Sequence, residues 1–125
     1  MVTVKWHEQG VSWTYFGSVR GEEIVNASTG IYSDPRFDDL RYKLCDFLNV
    51  DDINVTVSEI DKIVCQHAAA AHTNPDIKIA VVGKKSDFDK LLLLIERFRN
   101  YESRGSWPIE LFEDMPSVWA WLNAE

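Results

Sequence analysis

The sequence lacks several features that mark secreted and membrane-spanning proteins. Its 125 residues include two cysteines, Cys45 and Cys65, so there is no dense disulfide framework and no indication of an oxidising compartment. The longest apolar runs, IKIAVVG at residues 77–83 and LLLLI at residues 91–95, are much shorter than the roughly 20 residues that a membrane span requires. The N-terminus does not show the charged and then apolar pattern of a signal peptide. We therefore expect a soluble, cytoplasmic protein.

The sequence also lacks an excess of positive charge, because its formal net charge is −7 at pH 7. A nucleic-acid-binding protein is expected to carry a basic stripe, and anionic membranes attract basic segments. We therefore expect no nucleic-acid partner and no membrane insertion. Hydrophobic residues make up 46% of the chain, which is enough for one core. Since no linker, repeat or low-complexity tract interrupts the sequence, residues 1–125 are predicted to form a single domain.

Local motifs for catalysis or cofactor binding are absent as well. The chain contains no GxxxxGK[ST] loop, no GxGxxG and no GxSxG elbow. The paired carboxylates of SDPRFDD, at residues 33–39, are typical of turns and helix caps near a proline. Cys65, His67 and His72 do not have the spacing of about three or four residues that places two ligands on one helix face. We predict no catalytic residue, no cofactor and no metal, and we predict that His67 is a hydrogen-bonded core histidine.

Hydrophobic periodicity predicts alternating strands and helices. Residues 2–6 and 11–15 alternate apolar and polar side chains around a glycine turn, which is typical of an antiparallel hairpin. Further strands are predicted at residues 41–47, 77–82 and 109–112, and helices within residues 20–35, 58–72, 86–101 and 114–122. The order β-β-α-β-α-β-α-β-α predicts an α/β fold with a mixed sheet, in which an N-terminal antiparallel hairpin precedes mainly parallel strands.

The segment between the third predicted strand and the second predicted helix is the candidate functional site. In open α/β sheets, functional residues lie beyond the C-terminal ends of parallel strands. Here Asp46 is expected at the end of the strand, Asp51 and Asp52 in a following loop, and Ser58 before the helix. We therefore interpret this acidic loop as a recognition surface.

Ser58 itself has two interpretations. Ser58-Glu59-Ile60-Asp61 fits the [ST]-x-x-[DE] capping box, and such a cap contributes about 1 kcal/mol without any further role. Alternatively, a phosphate on Ser58 or on Thr56 would add close to two negative charges at the N-terminus of the helix. The charge presented to a partner would then change sharply without unfolding the domain.

Tryptophan is abundant, with 5 residues in the chain. Trp119 falls near the middle of the apolar stripe of the last predicted helix, whereas Trp121 lies about 100° away and is expected at its edge. A large aromatic residue at such an edge marks either packing against a neighbouring segment or a partner surface. A second group of aromatic residues near the hairpin could line an apolar pocket or simply pack in the core: Trp6, Trp13, Tyr15 and Phe16.

The chain resembles the STAS domain, the fold of bacterial anti-sigma factor antagonists, and more closely the SpoIIAA-like group. The resemblance covers nearly the whole chain and rests on five segments: GSVRGEE at residues 17–23, SDPRF at 33–37, RYKLCDF at 41–47, IKIAVVG at 77–83 and FEDMPSVWAWL at 112–122. In true antagonists, the resemblance implies, a kinase-type anti-sigma factor phosphorylates a serine at the start of the second helix. The position corresponds here to Ser58, although the Asp-Ser-Ser-Gly run is absent.

Two hypotheses follow from the residues and the resemblance. The first is a non-enzymatic, regulatory protein–protein interaction module, whose partner resembles an anti-sigma-type kinase. Its candidate residues are Asp46, Asp51, Asp52, Thr56, Ser58 and Trp121. The second is a carrier of a small apolar or lipid-like ligand. An exposed hairpin edge would also allow a homodimer.

Overall fold

A mixed sheet flanked by helices forms the framework of this protein, and the computed structural model describes residues 1–101 and 107–124. The elements are β1 (Val2–Trp6), β2 (Gly10–Arg20), α1 (Gly21–Tyr32), β3 (Tyr42–Asn54), α2 (Val57–Thr73), β4 (Lys78–Gly83), α3 (Phe88–Tyr101), β5 (Ile109–Phe112) and α4 (Met115–Leu122). Two short 3-10 helices, Pro35–Asp39 and Lys85–Asp87, precede β3 and α3. The predicted order of strands and helices is confirmed.

The five strands lie in the order β1-β2-β3-β4-β5. β1 pairs antiparallel with β2, while β2, β3, β4 and β5 pair in parallel. The predicted hairpin followed by mainly parallel strands is therefore confirmed. β1 forms one edge of the sheet, and Val4 in its centre is 45% exposed. The homodimer through this edge stays a prediction.

Helices α1, α2 and α3 pack on one face of the sheet, and α4 packs on the other. Alternate residues of a strand point to opposite faces, and in β4 Ile79 and Val81 join a large apolar cluster that also takes in buried residues of α1, α2 and α3. Ala80 and Val82 instead belong to a smaller cluster with Val118 of α4. β4 is thus covered on both faces, as its continuous apolar run predicts.

The third strand is longer than its sequence predicts. We predicted an end near Phe47 and a loop containing Asp51 and Asp52, but β3 continues to Asn54 and both acids lie in it. Asp and Asn are depleted in strands, and the pairing of β2 with β3 contains register shifts that break the simple alternation. Extended pairing with β2 overrides the local preference, so the prediction of an acidic loop is wrong.

Candidate functional site

An apolar groove lies where β3 ends and α2 begins. Its volume is about 180 Å³. The groove is lined by residues of α1, β3, the β3–α2 connection, α2 and α3: Ile24, Phe47, Ile53, Asn54, Val55, Ile60, Lys90, Leu91, Leu93 and Leu94. We call it the junction groove. It opens at the C-terminal end of a parallel strand, which is where open α/β sheets bind other molecules.

Three exposed aliphatic side chains belong to the two helices that contribute to the junction groove, and one of them lines it. Leu93 lines it and is 45% exposed, and Val57, the first residue of α2, is 49% exposed. Leu92 of α3 is 37% exposed. Single exposed apolar side chains are common, but several of them beside an apolar depression indicate an interaction site.

A threonine, not the predicted serine, caps α2. Thr56 occupies the N-cap, and its Oγ1 accepts a hydrogen bond from the backbone N–H of Glu59 at 3.2 Å. The Glu59 carboxylate accepts in return from the Thr56 backbone N–H at 2.9 Å. The capping box therefore begins two residues earlier than predicted, because Val57 already has helical geometry. The prediction of a cap made by Ser58 and Asp61 is wrong.

Glu59 also connects α2 to the start of α1. Its pKa is lowered by hydrogen bonds from Thr56 and, to a smaller extent, from the backbone N–H of Glu22 in the first turn of α1. A side chain at Gly21 would collide with the Glu59 carboxylate, since an added Cβ would lie 2.5 Å from Oε1. The glycine thus permits two helix N-termini to share one carboxylate, which the positive ends of both helices favour.

Ser58 is left exposed on the first turn of α2. Its hydroxyl makes no hydrogen bond within the described parts of the chain, whereas the Thr56 hydroxyl also donates to Glu59 at 3.0 Å. Asp61, the other half of the predicted cap, instead pairs with Arg97 of α3. Ser58 is therefore accessible and has no capping function.

Asp52, near the end of β3, forms an ion pair at the border of the junction groove. Lys90 of α3 donates to Asp52 Oδ1 at 3.1 Å and to the backbone oxygen of Ile53 at 2.8 Å. Asp51 is exposed. On the neighbouring connection, Lys84 donates to the backbone oxygen of Val50 at 2.6 Å. These lysines hold the end of β3 against α3 and the β4–α3 segment.

Asp46 and Trp121, two further predicted residues, lie elsewhere. Asp46 lies inside β3 on the face opposite Cys45 and Phe47, and its Oδ1 accepts from the backbone N–H of Leu48 at 2.9 Å. Trp121 of α4 is half-buried, and its ring lies 5.6 Å from that of Phe112 on β5. Trp121 is partly exposed as expected, but Trp119, which was expected near the middle of the apolar stripe, is half-buried as well. The structure does not bring Trp121 to the junction groove.

The hairpin aromatics do not form one pocket. Trp13 and Tyr15 are each 1% exposed, and they line a core cavity of about 30 Å³. Trp6 instead lies under the Arg36 guanidinium, 3.9 Å from the ring centroid, and Phe16 is half-buried. Ligand pockets usually measure about 300–1,000 Å³, so neither this cavity nor the junction groove has the size that a lipid-like ligand needs.

A buried lysine is the main chemical feature that the sequence analysis did not single out. Lys43 of β3 is 1% exposed. Its Nζ lies 3.1 Å from His67 Nε2 and 3.4 Å from the Tyr32 hydroxyl oxygen. The prediction that His67 is a hydrogen-bonded core histidine is confirmed. Lys43 lies within RYKLCDF, and a charged residue inside a predicted strand of an α/β sheet was a signal that could have revealed it.

Three aromatic rings enclose the Lys43 ammonium group. Its Nζ lies 5.0 Å from the centroid of Trp107, 5.3 Å from that of Trp13 and 5.4 Å from that of Tyr32. We call Lys43, His67, Tyr32, Trp13 and Trp107 the core lysine cluster. Burial lowers the pKa of Lys43 to about 7 and lowers the pKa of His67, while it raises the pKa of Tyr32.

The described residues contain neither a cluster of metal ligands nor a helix that could span a membrane. Within residues 1–101 and 107–124, no group of three or more His, Cys, Asp and Glu side chains is placed to hold a metal ion. His67 is buried, whereas Cys65 and His72 are exposed. Across the same residues, every helix is too short or too polar to span a bilayer.

Comparison of the sequence with known proteins gives a partial match to a curated relative. No protein-family model matches the chain. The uncharacterized protein MJ0319 of Methanocaldococcus jannaschii is 32% identical over 63 residues, which cover 50% of this chain and 55% of that protein. The match thus spans about half the length of the curated relative.

Two solved structures superpose on nearly the entire chain. One is an uncharacterized protein of the DUF3478 family with a SpoIIAA-like fold from Shewanella loihica, with a TM-score of 0.55, 12% identity, and coverage of 98% of this chain and 92% of that one. The other is the anti-sigma factor antagonist SpoIIAA in its unphosphorylated form, with a TM-score of 0.55, 10% identity, and coverage of 96% and 94%. The chain has a SpoIIAA-like, STAS-type fold, as its sequence resemblance predicts.

Proposed function

We propose that this protein is a non-enzymatic, regulatory interaction module that binds a protein partner at the junction groove. The observation that carries the proposal is Leu93, an aliphatic side chain that lines an apolar groove and remains 45% exposed. The groove's volume of about 180 Å³ is below that of typical small-molecule pockets. It suits one large apolar side chain from a partner.

Charge defines the partner further. Asp52 pairs with Lys90, which lines the groove, the preceding Asp51 is exposed, and the chain has a net charge of −7. A complementary partner presents an apolar side chain surrounded by basic residues, because opposite charges steer association and disfavour wrong partners. The similarity in fold to an anti-sigma factor antagonist supports an anti-sigma-type kinase as the partner class.

Substitution of Leu93 by a charged residue tests the docking surface. Leu93→Asp places a carboxylate at the groove, and we expect at least a tenfold loss of partner capture from the native cell extract, read by quantitative mass spectrometry. Val4→Asp is the matched control, because Val4 is also 45% exposed but lies on edge strand β1. Equal loss of the same partner with both variants, or no loss with Leu93→Asp, would contradict the proposed site.

Ser58 is the proposed point of control within this function. Its exposed hydroxyl lies on the first turn of α2, where the helix dipole tolerates a phosphate. Thr56 is the poorer candidate, because its hydroxyl is engaged in the capping box. A phosphate at Ser58 would add negative charge beside the groove and would change its affinity for a partner.

The proposed phosphorylation of Ser58 can be tested separately from docking. Intact mass of the protein purified from its native cell should show a phosphorylated fraction that disappears in Ser58→Ala. Ser58→Asp should alter the set of captured partners. Ser117→Asp is the control, because Ser117 is an exposed serine in the first turn of α4, on the opposite face of the sheet. If wild type and Ser58→Asp capture identical partners and intact mass shows no phosphate, control of docking by phosphorylation of Ser58 is contradicted.

A further inference from the structure

The hydrogen bonds of the β1–β2 hairpin show which backbone groups of β1 point out of the sheet. The Phe16 N–H donates to the backbone oxygen of Met1 at 2.9 Å, and the His7 N–H donates to that of Gly10 at 2.7 Å. Directly opposed residues of an antiparallel pair alternate between bonded and non-bonded pairs, and the register of this hairpin is unbroken along β1. The odd-numbered residues therefore bond to β2, and the even-numbered residues direct their N–H and C=O groups outward.

The outward-facing residues of β1 are Val2, Val4 and Trp6. Within residues 1–101 and 107–124, their outward backbone groups make no hydrogen bond. Their side chains are apolar and share one face of the sheet. Val2 and Trp6 are half-buried against the main core, whereas Val4 is 45% exposed. β1 thus presents unpaired backbone groups together with apolar surface.

The opposite edge of the sheet, formed by β5, is partly closed. The backbone oxygen of Ile109 accepts a hydrogen bond from the Arg99 side chain, and Arg99 also pairs with Glu110. Proteins protect edge strands with charged side chains, prolines, bulges or covering segments. β1 has no proline and no break in its register, and Lys5 is its one charged residue. β1 is therefore the edge that is open to a further strand.

The outward groups of β1 are complementary to those of a second β1. A twofold axis beside Val4 pairs Val4 with Val4 of the second copy, and it pairs Val2 with Trp6 of that copy. Each pair can exchange two backbone hydrogen bonds, because both of its residues direct N–H and C=O outward. Opposed side chains lie on the same face, so each pair also joins two apolar residues. The same register thus satisfies the backbone and covers Val4.

We propose that two copies of this chain associate through β1, as a twofold-symmetric dimer whose antiparallel strands are centred on Val4. The two sheets then form one continuous sheet. Because the axis is perpendicular to the sheet, helices α1, α2 and α3 of both copies lie on the same face. Twofold symmetry closes the contact, so the dimer does not extend into a fibre.

Lys5 limits the strength of this dimer. In the proposed register, Lys5 faces Thr3 of the second copy, and the two Lys5 residues are diagonal neighbours about 7–8 Å apart. Salt screens the repulsion between them. A strand of 5 residues also buries little area compared with the roughly 1,200–2,000 Å² of stable complexes. The dimer should therefore exchange rapidly with the monomer and become stronger as salt is added.

Sedimentation equilibrium of the full chain tests the association. From micromolar to millimolar concentration, the average mass should rise from that of the monomer toward that of the dimer. Val4→Pro removes one outward N–H from each copy, and proline is tolerated where the N–H of an edge strand faces solvent. Loss of these two hydrogen bonds should weaken association at least about tenfold. A monomeric mass throughout, or equal association of wild type and Val4→Pro, would overturn the proposal.

Two further variants guard against an effect of misfolding. Val4→Asp places two carboxylates in direct opposition at the axis and should also abolish the dimer. Val57→Asp is the control, because Val57 is 49% exposed but begins α2, and it should associate like the wild type. Far-UV circular dichroism identifies any variant that is unfolded. Equal association of the folded Val4→Asp and Val57→Asp proteins would overturn the assignment to β1.

Nuclear magnetic resonance tests the register. The Val2, Val4 and Trp6 amides should exchange with solvent more slowly at high protein concentration and recover fast exchange on dilution. In a mixture of isotope-labelled and unlabelled protein, an intermolecular NOE should connect the Hα atoms of Thr3 and Lys5, which form the non-bonded pair. A dimer whose protected amides and intermolecular contacts lie outside β1, or whose strands pair in parallel, would overturn the proposal.

Discussion

The junction groove and the core lysine cluster lie side by side between the sheet and helices α1, α2 and α3. They differ in whether their polar groups are exposed and paired. Ile24, Phe47 and Leu94 line both the groove and the core cavity. At the groove, charged groups such as Lys90 and Asp52 are exposed, and each finds a partner. In the core, Lys43 is almost fully buried and its neighbours retain unpaired nitrogens.

The difference indicates where specificity and stability are determined. Exposed pairs contribute little to stability because water screens them, so residues at the groove are free to serve recognition. Burial makes each polar group in the core costly, so small changes in charge there affect the whole domain. Substitutions in the two regions should therefore differ in size and in their dependence on pH.

The largest effect is expected in the core. Trp107→Ala removes a side chain that is 1% exposed, packs over Lys43 and donates to Asn74. Loss of such a large buried side chain should lower the free energy of unfolding by about 3–5 kcal/mol. Chemical denaturation of the two proteins measures the difference. A loss below about 1 kcal/mol would show that the core around Lys43 is not tightly packed.

The next effect concerns the pH dependence of stability. The pKa of Lys43 is lowered from 10.5 to about 7 in the folded protein, so the unfolded state binds more protons between those values. The free energy of unfolding should rise by about 2 kcal/mol from pH 7 to pH 9, because the slope is about 0.7 kcal/mol per pH unit at the folded-state pKa and approaches about 1.4 above it. Lys43→Met should lose this rise, because methionine does not titrate.

Cys45 limits the pH range in which this comparison is informative. Burial raises the pKa of its thiol from 9 to about 11. Above pH 9 the Cys45 thiol binds more protons in the folded state than in the unfolded state, so its contribution to stability falls as pH rises and opposes that of Lys43. Denaturation curves from pH 7 to pH 9 isolate the lysine. A flat profile for the wild type in that range would contradict the burial of a titrating Lys43.

A smaller effect distinguishes the two hydroxyls at the start of α2. Thr56→Ala removes the side-chain cap and should cost about 1 kcal/mol. Ser58→Ala should change stability by less than about 0.5 kcal/mol, because the exposed hydroxyl makes no hydrogen bond within residues 1–101 and 107–124. Thermal or chemical denaturation of both variants is sufficient. A larger cost for Ser58→Ala than for Thr56→Ala would reverse the assignment of the cap.

The smallest effect is expected for the ion pair that links α2 to α3. Arg97 donates to both Asp61 oxygens at 2.9 and 3.2 Å, but the two side chains are 40% and 53% exposed. A double-mutant cycle of Asp61→Ala and Arg97→Ala should give a coupling of about 0.2–1 kcal/mol that decreases with salt. A coupling above about 2 kcal/mol, unaffected by salt, would mean that the pair behaves like a buried one.

The sequence by itself determined the order of strands and helices, the antiparallel hairpin and the burial of His67. These features depend on local periodicity, because the spacing of apolar residues indicates which face of an element is buried. The same reasoning placed the candidate site at the connection between the third strand and the second helix.

Tertiary structure decided the features that depend on partners distant in sequence. Pairing with β2 extended β3 to Asn54 and carried Asp51 and Asp52 into the sheet. Two adjacent sequences, Thr56-x-x-Glu59 and Ser58-x-x-Asp61, both fit a capping box, and the point where the backbone turns helical selected the first. The core lysine cluster likewise unites residues from five segments of the chain. No local pattern reports such convergence, because burial of a charge depends on what folds over it.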